Sequence, residues 1–164
     1  HGSRTLQNAL VAKYPELAVF LVIGIGYRKS KVEEMPDRWK WLFDSDTYKG
    51  RIAVMSDASE LFRNCFKYLG KSLNDSSPEL IKQAEAVLTK QKPNIKAFHE
   101  DNGQDLLLSG EVDVVMEYNG DIAQVMKEDD DIDIRMREQL SSPVSADADQ
   151  RKIGRHPRLV PNRT

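Results

Sequence analysis

The sequence has few of the residues that build covalent or metal-centred sites. Its 164 residues include one cysteine and three histidines. A single cysteine cannot form an internal disulfide, and two of the histidines, His1 and His156, lie near the chain ends without metal-ligand spacing to other His or Cys residues. We therefore expect neither a bound metal nor a cofactor.

Long hydrophobic runs are also absent. The longest run, Leu17 to Ile25, is broken by Gly24 and falls far short of the roughly 20 residues that cross a bilayer. No secretion signal opens the chain, and His1-Gly2-Ser3 is interpreted as a cloning scar, so any export signal would already have been removed. These residues predict no transmembrane segment and leave the compartment open.

Nucleotide-binding and catalytic motifs are missing or incomplete. Gly24 and Gly26 begin like a dinucleotide loop, but Lys29 stands where the third glycine belongs, and no Gly-Lys-Ser/Thr pair exists. No Gly-x-Ser-x-Gly elbow is present, so His99-Glu100-Asp101 near Ser109 is predicted to be a solvated loop. A hydrolase using Asp57 and Glu60 has no identifiable cleft, and we expect no enzymatic activity.

An acidic run near residue 130 imitates a calcium loop without completing it. Asp129, Asp131 and Asp133 have the right spacing, but Ile134 takes the glycine position and Leu140 the position of the bidentate Glu. The run is predicted to be a solvated turn.

The charge is distributed unevenly along the chain. Residues 135–164 carry seven Lys and Arg residues against three Asp and Glu residues, whereas the whole chain has a formal net charge of −2. Residues 1–134 are therefore acidic, at −6, which favours cationic partners over phosphates. A nucleic-acid partner is not expected, because the acidic body opposes nonspecific binding through the basic tail.

Apolar patterns predict strands that alternate with helices. Strands are predicted at residues 17–27, 51–55, 95–98 and 112–118; helices at 58–69, from Ser77-Pro78 to Pro93, at 104–108 and at 122–126, with a short helix or two broken turns within 31–43. This order predicts an α/β fold with a largely parallel sheet covered on both faces. Ligands of such sheets bind at the carboxyl ends of the strands.

Two strand ends carry candidate binding residues. Asp57 and Glu60 follow one strand, where they predict either a capping box or anionic ligands for an ammonium group, two interpretations that are compatible. Tyr118 and Asp121 follow another strand, where an aromatic face beside a carboxylate suits an alkyl diamine. The alternative for Asp121 is that it caps the helix of residues 122–126.

Eight short motifs occur in a familiar order and spacing: Gly24-Ile25-Gly26-Tyr27, Trp39-Lys40-Trp41-Leu42-Phe43, Tyr48-Lys49-Gly50-Arg51-Ile52, Ser56-Asp57-Ala58, Tyr68-Leu69-Gly70, Lys92-Pro93-Asn94-Ile95, Ser109-Gly110-Glu111-Val112 and Asn119-Gly120-Asp121. Together, from about Gly24 to Ile134, they resemble the second lobe of bacterial spermidine/putrescine-binding proteins, the extracytoplasmic receptors of polyamine ABC transporters. The resemblance implies a lobe like those of type II periplasmic-binding proteins and a periplasmic or extracytoplasmic location.

The resemblance also implies a ligand site. These receptors close two lobes around an extended polyamine, which is held by acidic and aromatic side chains. By position, Asp57 and Glu60 would hold an amine, Tyr118 would take the place of a stacking tryptophan, Asp121 would match an acid of putrescine-type members, and Glu100 would replace a small polar contact residue. The expected partners are a polyamine and, for the full-length parent, an ABC transporter permease.

The chain departs from that family at both ends. The first lobe is missing, and Phe20-Leu21-Val22-Ile23 replaces the usual aromatic hinge strand. We divide the chain into a scar and leader at 1–16, the binding lobe at 17–134 and a disordered or non-family tail at 135–164. The lobe is expected to be incomplete on its own, and the alternative function is a truncated or engineered lobe that mainly self-associates as a domain-swapped homodimer.

Overall fold

A computed structural model describes residues 12–13, 22–136 and 140. Its strands are β1 (Ile23–Arg28), β2 (Ile52–Met55), β3 (Ile95–His99), β4 (Val114–Tyr118) and β5 (Ile132–Met136). Its α-helices are α1 (Lys40–Phe43), α2 (Ala58–Tyr68), α3 (Pro78–Gln91), α4 (Gly103–Ser109) and α5 (Asn119–Met126), with 3-10 turns at Lys29–Lys31 and Lys92–Asn94. None of the helices in these ranges combines the length and apolar character that a bilayer crossing requires.

The five strands form one mixed sheet in the order β3-β2-β4-β1-β5. β2 pairs parallel to β3 and to β4, whereas β1 pairs antiparallel to both β4 and β5. Four strands therefore share one direction and β1 alone runs against them. The α/β class and the predominant strand direction are as predicted, but half of the strand pairings are antiparallel.

Helices cover both faces of the sheet. One face packs under α1, α2 and α3, and its core includes Ile52, Val54 and Met116. The other face packs under α4 and α5, and its core includes Ala53 and Val115. The alternation of side chains along β2 and β4 thus places both of these central strands between two apolar layers.

Most predicted elements are present at or near their predicted bounds, and the short helix predicted within residues 31–43 is the single α-helical turn Lys40–Phe43. The predicted first strand begins earlier than β1, but residues 14–21 lie outside the described residues. The leader, apart from residues 12–13, and the tail beyond residue 140 lie outside them too. β5 was not predicted, and it crosses the boundary expected at residue 134. Leu140, at 8% exposure, belongs to the buried core as well.

The acidic run forms a partly exposed turn before β5, as predicted, except that Asp133 lies within β5; the turn also binds the end of β1 and the residues that follow it. The Arg28 guanidinium donates to Asp129 Oδ2 at 2.9 Å and to the carbonyl oxygens of Leu107 and Leu108. Asp131 accepts from both the backbone N–H and the hydroxyl of Ser30. The backbone N–H of Asp131 and the Arg28 guanidinium lower the pKa of Asp129. Hydrogen bonds from Ser30 and the charge of Arg28 lower that of Asp131.

Candidate functional site

The ends of β3, β2, β4 and β1, four neighbouring strands, lie at one edge of the sheet. Because β2, β3 and β4 are parallel, their carboxyl ends lie together, and because β1 is antiparallel, its beginning lies with them. Two backbone hydrogen bonds join these ends: Ser56 N donates to His99 O, and Asn119 N donates to Val22 O, each at 2.8 Å. We call the three β-to-α junctions at 56–57, 99–103 and 118–121 the junction edge.

The junction edge brings together four of the five predicted ligand residues. Asp57 follows β2, Glu100 follows β3, and Tyr118 and Asp121 lie where β4 passes into α5. Neighbouring strands are about 4.8 Å apart, so these junctions span about 10 Å. Asp57 opens a helix on one face of the sheet and Asp121 lies in a helix on the other, so the two acids approach the edge from opposite sides.

Asp57 caps α2, as one of its two interpretations predicts. It is the N-cap residue, and its Oδ1 accepts from the backbone N–H of Glu60 at 2.9 Å. Glu60 Oε1 lies 3.4 Å from Arg63 Nη1. Glu60 lies one helical turn beyond the edge and forms an ion pair with Arg63. Its role as an amine ligand stays a prediction.

Asp121 does not cap α5. The helix begins at Asn119 with Tyr118 as N-cap residue, and Asp121 lies in the first turn without a capping bond. The alternative that Asp121 only caps a helix of residues 122–126 is therefore wrong. Its carboxylate is half-buried, and burial raises its pKa, with the charges of Asp101 and Asp105 adding to the shift.

The acids around Asp121 make this part of the edge electrostatically negative. Asp101 and Glu100 are exposed in the loop after β3, and Asp105 is exposed on α4. Among the described residues no Lys or Arg forms an ion pair with Asp101, Asp105 or Asp121. Carboxylates that raise one another's pKa gain free energy when a cation enters between them. The arrangement suits an ammonium group.

A buried pair of titratable side chains lies directly behind the edge. Glu117, on β4, has no exposed surface, and His99, at the end of β3, is 3% exposed. Glu117 Oε2 lies 3.5 Å from His99 Nδ1. The carboxylate also accepts from Tyr118 N at 2.8 Å and from Gly103 N at 3.1 Å. Burial raises the pKa of Glu117 to about 7 and lowers that of His99.

Sequence analysis missed this pair. The prediction of a solvated loop holds for Glu100 and Asp101, which are exposed, but is wrong for His99. A signal was present in β4, where Glu117 interrupts an otherwise apolar strand at a position that alternation assigns to the buried face of Val115. A charged residue at such a position needs a partner, and His99 is the one that the fold supplies.

Metal binding has no structural support at the edge: in the described ranges, no three His, Cys, Asp or Glu side chains are grouped as metal ligands would be.

Comparisons with known proteins agree with the resemblance. The chain is 35% identical over 111 residues to the putrescine/cadaverine-binding protein of Pseudomonas aeruginosa, which covers 64% of this chain and 31% of the relative. It is 34% identical over 99 residues to the spermidine/putrescine-binding periplasmic protein of Escherichia coli, covering 60% of this chain and 27% of the relative. The chain thus spans less than a third of the length of these relatives.

Comparison of the fold with solved structures gives a similar result. The spermidine/putrescine ABC transporter substrate-binding protein of Streptococcus pneumoniae superposes with a TM-score of 0.64 at 22% identity, covering 77% of this chain and 44% of that one. This likeness confirms the predicted fold class. A family model described as bacterial extracellular solute-binding protein matches residues 19–146. The chain belongs to the family of bacterial extracellular solute-binding proteins.

Proposed function

We propose that the chain is a ligand-binding lobe of an extracytoplasmic polyamine receptor, and that its junction edge binds a putrescine-like or spermidine-like ligand. In the full-length parent, the receptor would deliver this ligand to an ABC transporter permease. The observation that carries the proposal is that Asp57 follows β2 while Tyr118 and Asp121 lie at the same end of the neighbouring strand β4. The names of the relatives at 34–35% identity point to the same ligand class.

The chemistry of the edge fits an alkyl diamine. An ammonium group binds best to charged acceptors. Asp121 and Asp101 supply two carboxylates that repel each other, and a bound cation would relieve this repulsion. The ring of Tyr118 offers a surface on which methylene groups pack and which attracts the cation. The ligand would then lie along the edge, with an amine near each acidic junction.

The lobe supplies part of a clamp. Because the chain spans less than a third of its curated relatives, contacts from the rest of such a receptor are absent from it. Losing the opposing contacts weakens binding, since buried hydrogen bonds to charged groups are each worth roughly 1.5–3 kcal/mol. We expect the isolated chain to bind a diamine weakly, in the millimolar rather than the micromolar range.

Calorimetric titration with putrescine and with spermidine tests the site. The double variant Asp57→Ala with Asp121→Ala should lose at least tenfold in affinity, because each carboxylate contributes a charge-assisted contact. The matched control is Glu111→Ala with Glu128→Ala, which removes the same charge from exposed positions at the opposite end of β4 and α5. Equal heats from the two double variants would show that Asp57 and Asp121 are not the site.

Tyr118→Trp tests the aromatic contact independently. An indole presents a larger face and attracts cations more strongly than a phenol, so affinity for both ligands should rise roughly threefold, or about 0.6 kcal/mol. Tyr118→Leu should lower it, since an aliphatic side chain keeps apolar contact but not the attraction. Identical affinities for Trp and Leu at this position would remove Tyr118 from the proposed site.

The proposal is a binding function rather than a catalytic one, because the family is described as solute-binding. The expected extracytoplasmic location agrees with that family, whose description is extracellular, and with the periplasmic protein of Escherichia coli.

Self-association is the second candidate. An apolar groove of about 420 Å³ lies between α2, α3 and β3, and Phe98 on its rim is 45% exposed. A second copy covering this groove would bury Phe98. Sedimentation of the chain with and without Phe98→Ser distinguishes the cases: a dimer that Phe98→Ser dissociates supports self-association through the groove, and a monomer at all concentrations contradicts it.

A further inference from the structure

We propose that Glu117 and His99 are positioning residues: the buried pair shares one proton and holds the three junctions of the edge in register, and loss of that proton changes their arrangement. Neither side chain is assigned contact with the ligand. The inference deepens the proposed function where it concerns ligand binding, but the geometry behind it stands without a ligand.

Hydrogen bonding fixes the state of one imidazole nitrogen. His99 Nε2 is 2.8 Å from the carbonyl oxygen of Met116. A carbonyl only accepts, so Nε2 carries a hydrogen, whereas the buried His99 Nδ1 has no hydrogen-bond partner among the described residues and lies 3.5 Å from Glu117 Oε2. One further proton, carried by either the carboxyl group or Nδ1, gives either a neutral acid beside a neutral imidazole or a carboxylate beside an imidazolium. In both forms the pair has no net charge.

The hydrogen bonds of this pair reach every junction. Glu117 accepts from Tyr118 N, where β4 passes into α5, and from Gly103 N, the first residue of α4. The backbone carbonyl of His99 accepts from Ser56 N, immediately before Asp57. The residues predicted to bind the ligand thus stand on backbone segments that are tied to this pair.

Glu117 and His99 pack closely against the start of α4, so a movement of either side chain would displace this part of the junction edge. A Cβ atom placed on Gly103 would lie 2.6 Å from His99 Nε2 and 2.7 Å from Glu117 Oε2. The start of α4 therefore rests directly on both side chains. A rotation of either side chain moves the loop that carries Glu100 and Asp101.

The charges that surround the pair are acidic. Asp101 on the loop after β3, Asp105 on α4 and Asp121 on α5 face this region, while the neighbours of Glu117 and His99 on β1 and β2 are the uncharged residues Gly24 and Met55. Among the described residues no Lys or Arg pairs with Glu117. A cation bound at Asp121 would relieve this repulsion and favour loss of the shared proton, and by reciprocity loss of the proton would favour the cation.

NMR spectroscopy of the chain tests the positioning role. The amide signals of Ser56, Gly103 and Tyr118 should shift together between pH 5.5 and 8.5 with one midpoint near 7. Glu117→Gln should abolish this common transition and lower the exchange protection of the Gly103 amide roughly tenfold. The control, Glu111→Gln, removes an exposed carboxylate at the other end of β4 and should change neither.

A second variant covers the case in which Glu117→Gln does not fold. His99→Gln keeps a donor near Met116 O but removes the titrating ring, and it should move the common midpoint by at least half a pH unit. Amide signals that do not respond to pH, or the same transition in all variants, would overturn the inference.

Putrescine separates this inference from the proposed function. Added putrescine should lower the midpoint, because a bound cation favours the deprotonated pair. A common transition that putrescine leaves unmoved contradicts polyamine binding at the edge and leaves the positioning role intact. Calorimetric binding of putrescine without any common transition overturns the positioning role alone.

Discussion

Replacing Glu117 by Gln should change how the stability of the fold depends on pH. Glu117 is fully buried, and burial raises its pKa from an ordinary 4.5 to about 7, while the N–H groups of Tyr118 and Gly103 oppose the shift. An acid with a raised pKa binds its proton more tightly in the folded state than in the unfolded state. Its contribution to stability is therefore complete below about pH 4.5 and is lost as the pH rises through about 7.

The size of the effect follows from the shift. Each pKa unit corresponds to 1.36 kcal/mol, so the contribution lost by wild type between pH 5 and pH 8 is roughly 2–3 kcal/mol. Glutamine does not titrate, so Glu117→Gln loses no stability through deprotonation at this position. His99 acts in the opposite sense, because burial lowers its pKa and its contribution is lost as the pH falls. Because His99 lies 3.5 Å from the carboxylate, the difference between the two proteins reports the buried pair, from which the substitution removes the carboxyl group.

Urea unfolding followed by tryptophan fluorescence measures the difference. Trp39 is buried, at 1% exposure, and its emission should report loss of the core. The free energy of unfolding of Glu117→Gln relative to wild type should rise by roughly 2–3 kcal/mol from pH 5 to pH 8, whereas that of Glu111→Gln should stay constant. A difference for Glu117→Gln that is constant within about 0.5 kcal/mol would refute the assignment of Glu117 as a buried acid with a raised pKa.

Three further predictions concern the framework. Gly24→Ala should detach β5, because its Cβ would collide with the backbone carbonyl of Arg135, and hydrogen exchange of β5 amides should rise while those of β2 do not. Burial raises the pKa of Cys65 to about 12, so its reaction with a thiol reagent at pH 8 should occur at the rate of unfolding, and fast reaction in the absence of denaturant would contradict its burial. Asp113→Ala should destabilise the fold by about 1–3 kcal/mol in urea unfolding, since it removes a partly buried partner 2.7 Å from Arg51; an unchanged midpoint would show that this pair contributes nothing.

The sequence predicts what local chemistry determines. Asp57 after an apolar strand predicts both the start of α2 and its cap, and Ser77-Pro78 predicts the start of α3; both are confirmed. The convergence of strand ends also follows from the sequence, because alternating strands and helices place parallel carboxyl ends together.

What the sequence does not show is long-range pairing. β5 alternates apolar and charged residues over only five positions, and it pairs with β1, more than 100 residues away, where Arg28 also binds Asp129. The same applies to His99, which looks like a loop residue until the fold sets it beside Glu117. Ile132, Ile134 and Met136 alternate with charged residues as in a strand, but nothing in that segment identifies its partner strand, and nothing in the segment of His99 identifies Glu117.

The position of β1 between β4 and β5 has a consequence for biosynthesis. Ile23 pairs with Tyr118 and Gly24 with Met136, so β1 leaves the ribosome before either of its neighbouring strands has been made. Until then its backbone N–H and C=O groups have no strand partner on either side and its apolar side chains are uncovered, which invites capture by chaperones or by other nascent chains. Nascent chains arrested before Val114 should therefore leave β1 open to proteolysis, and release past Met136 should close it.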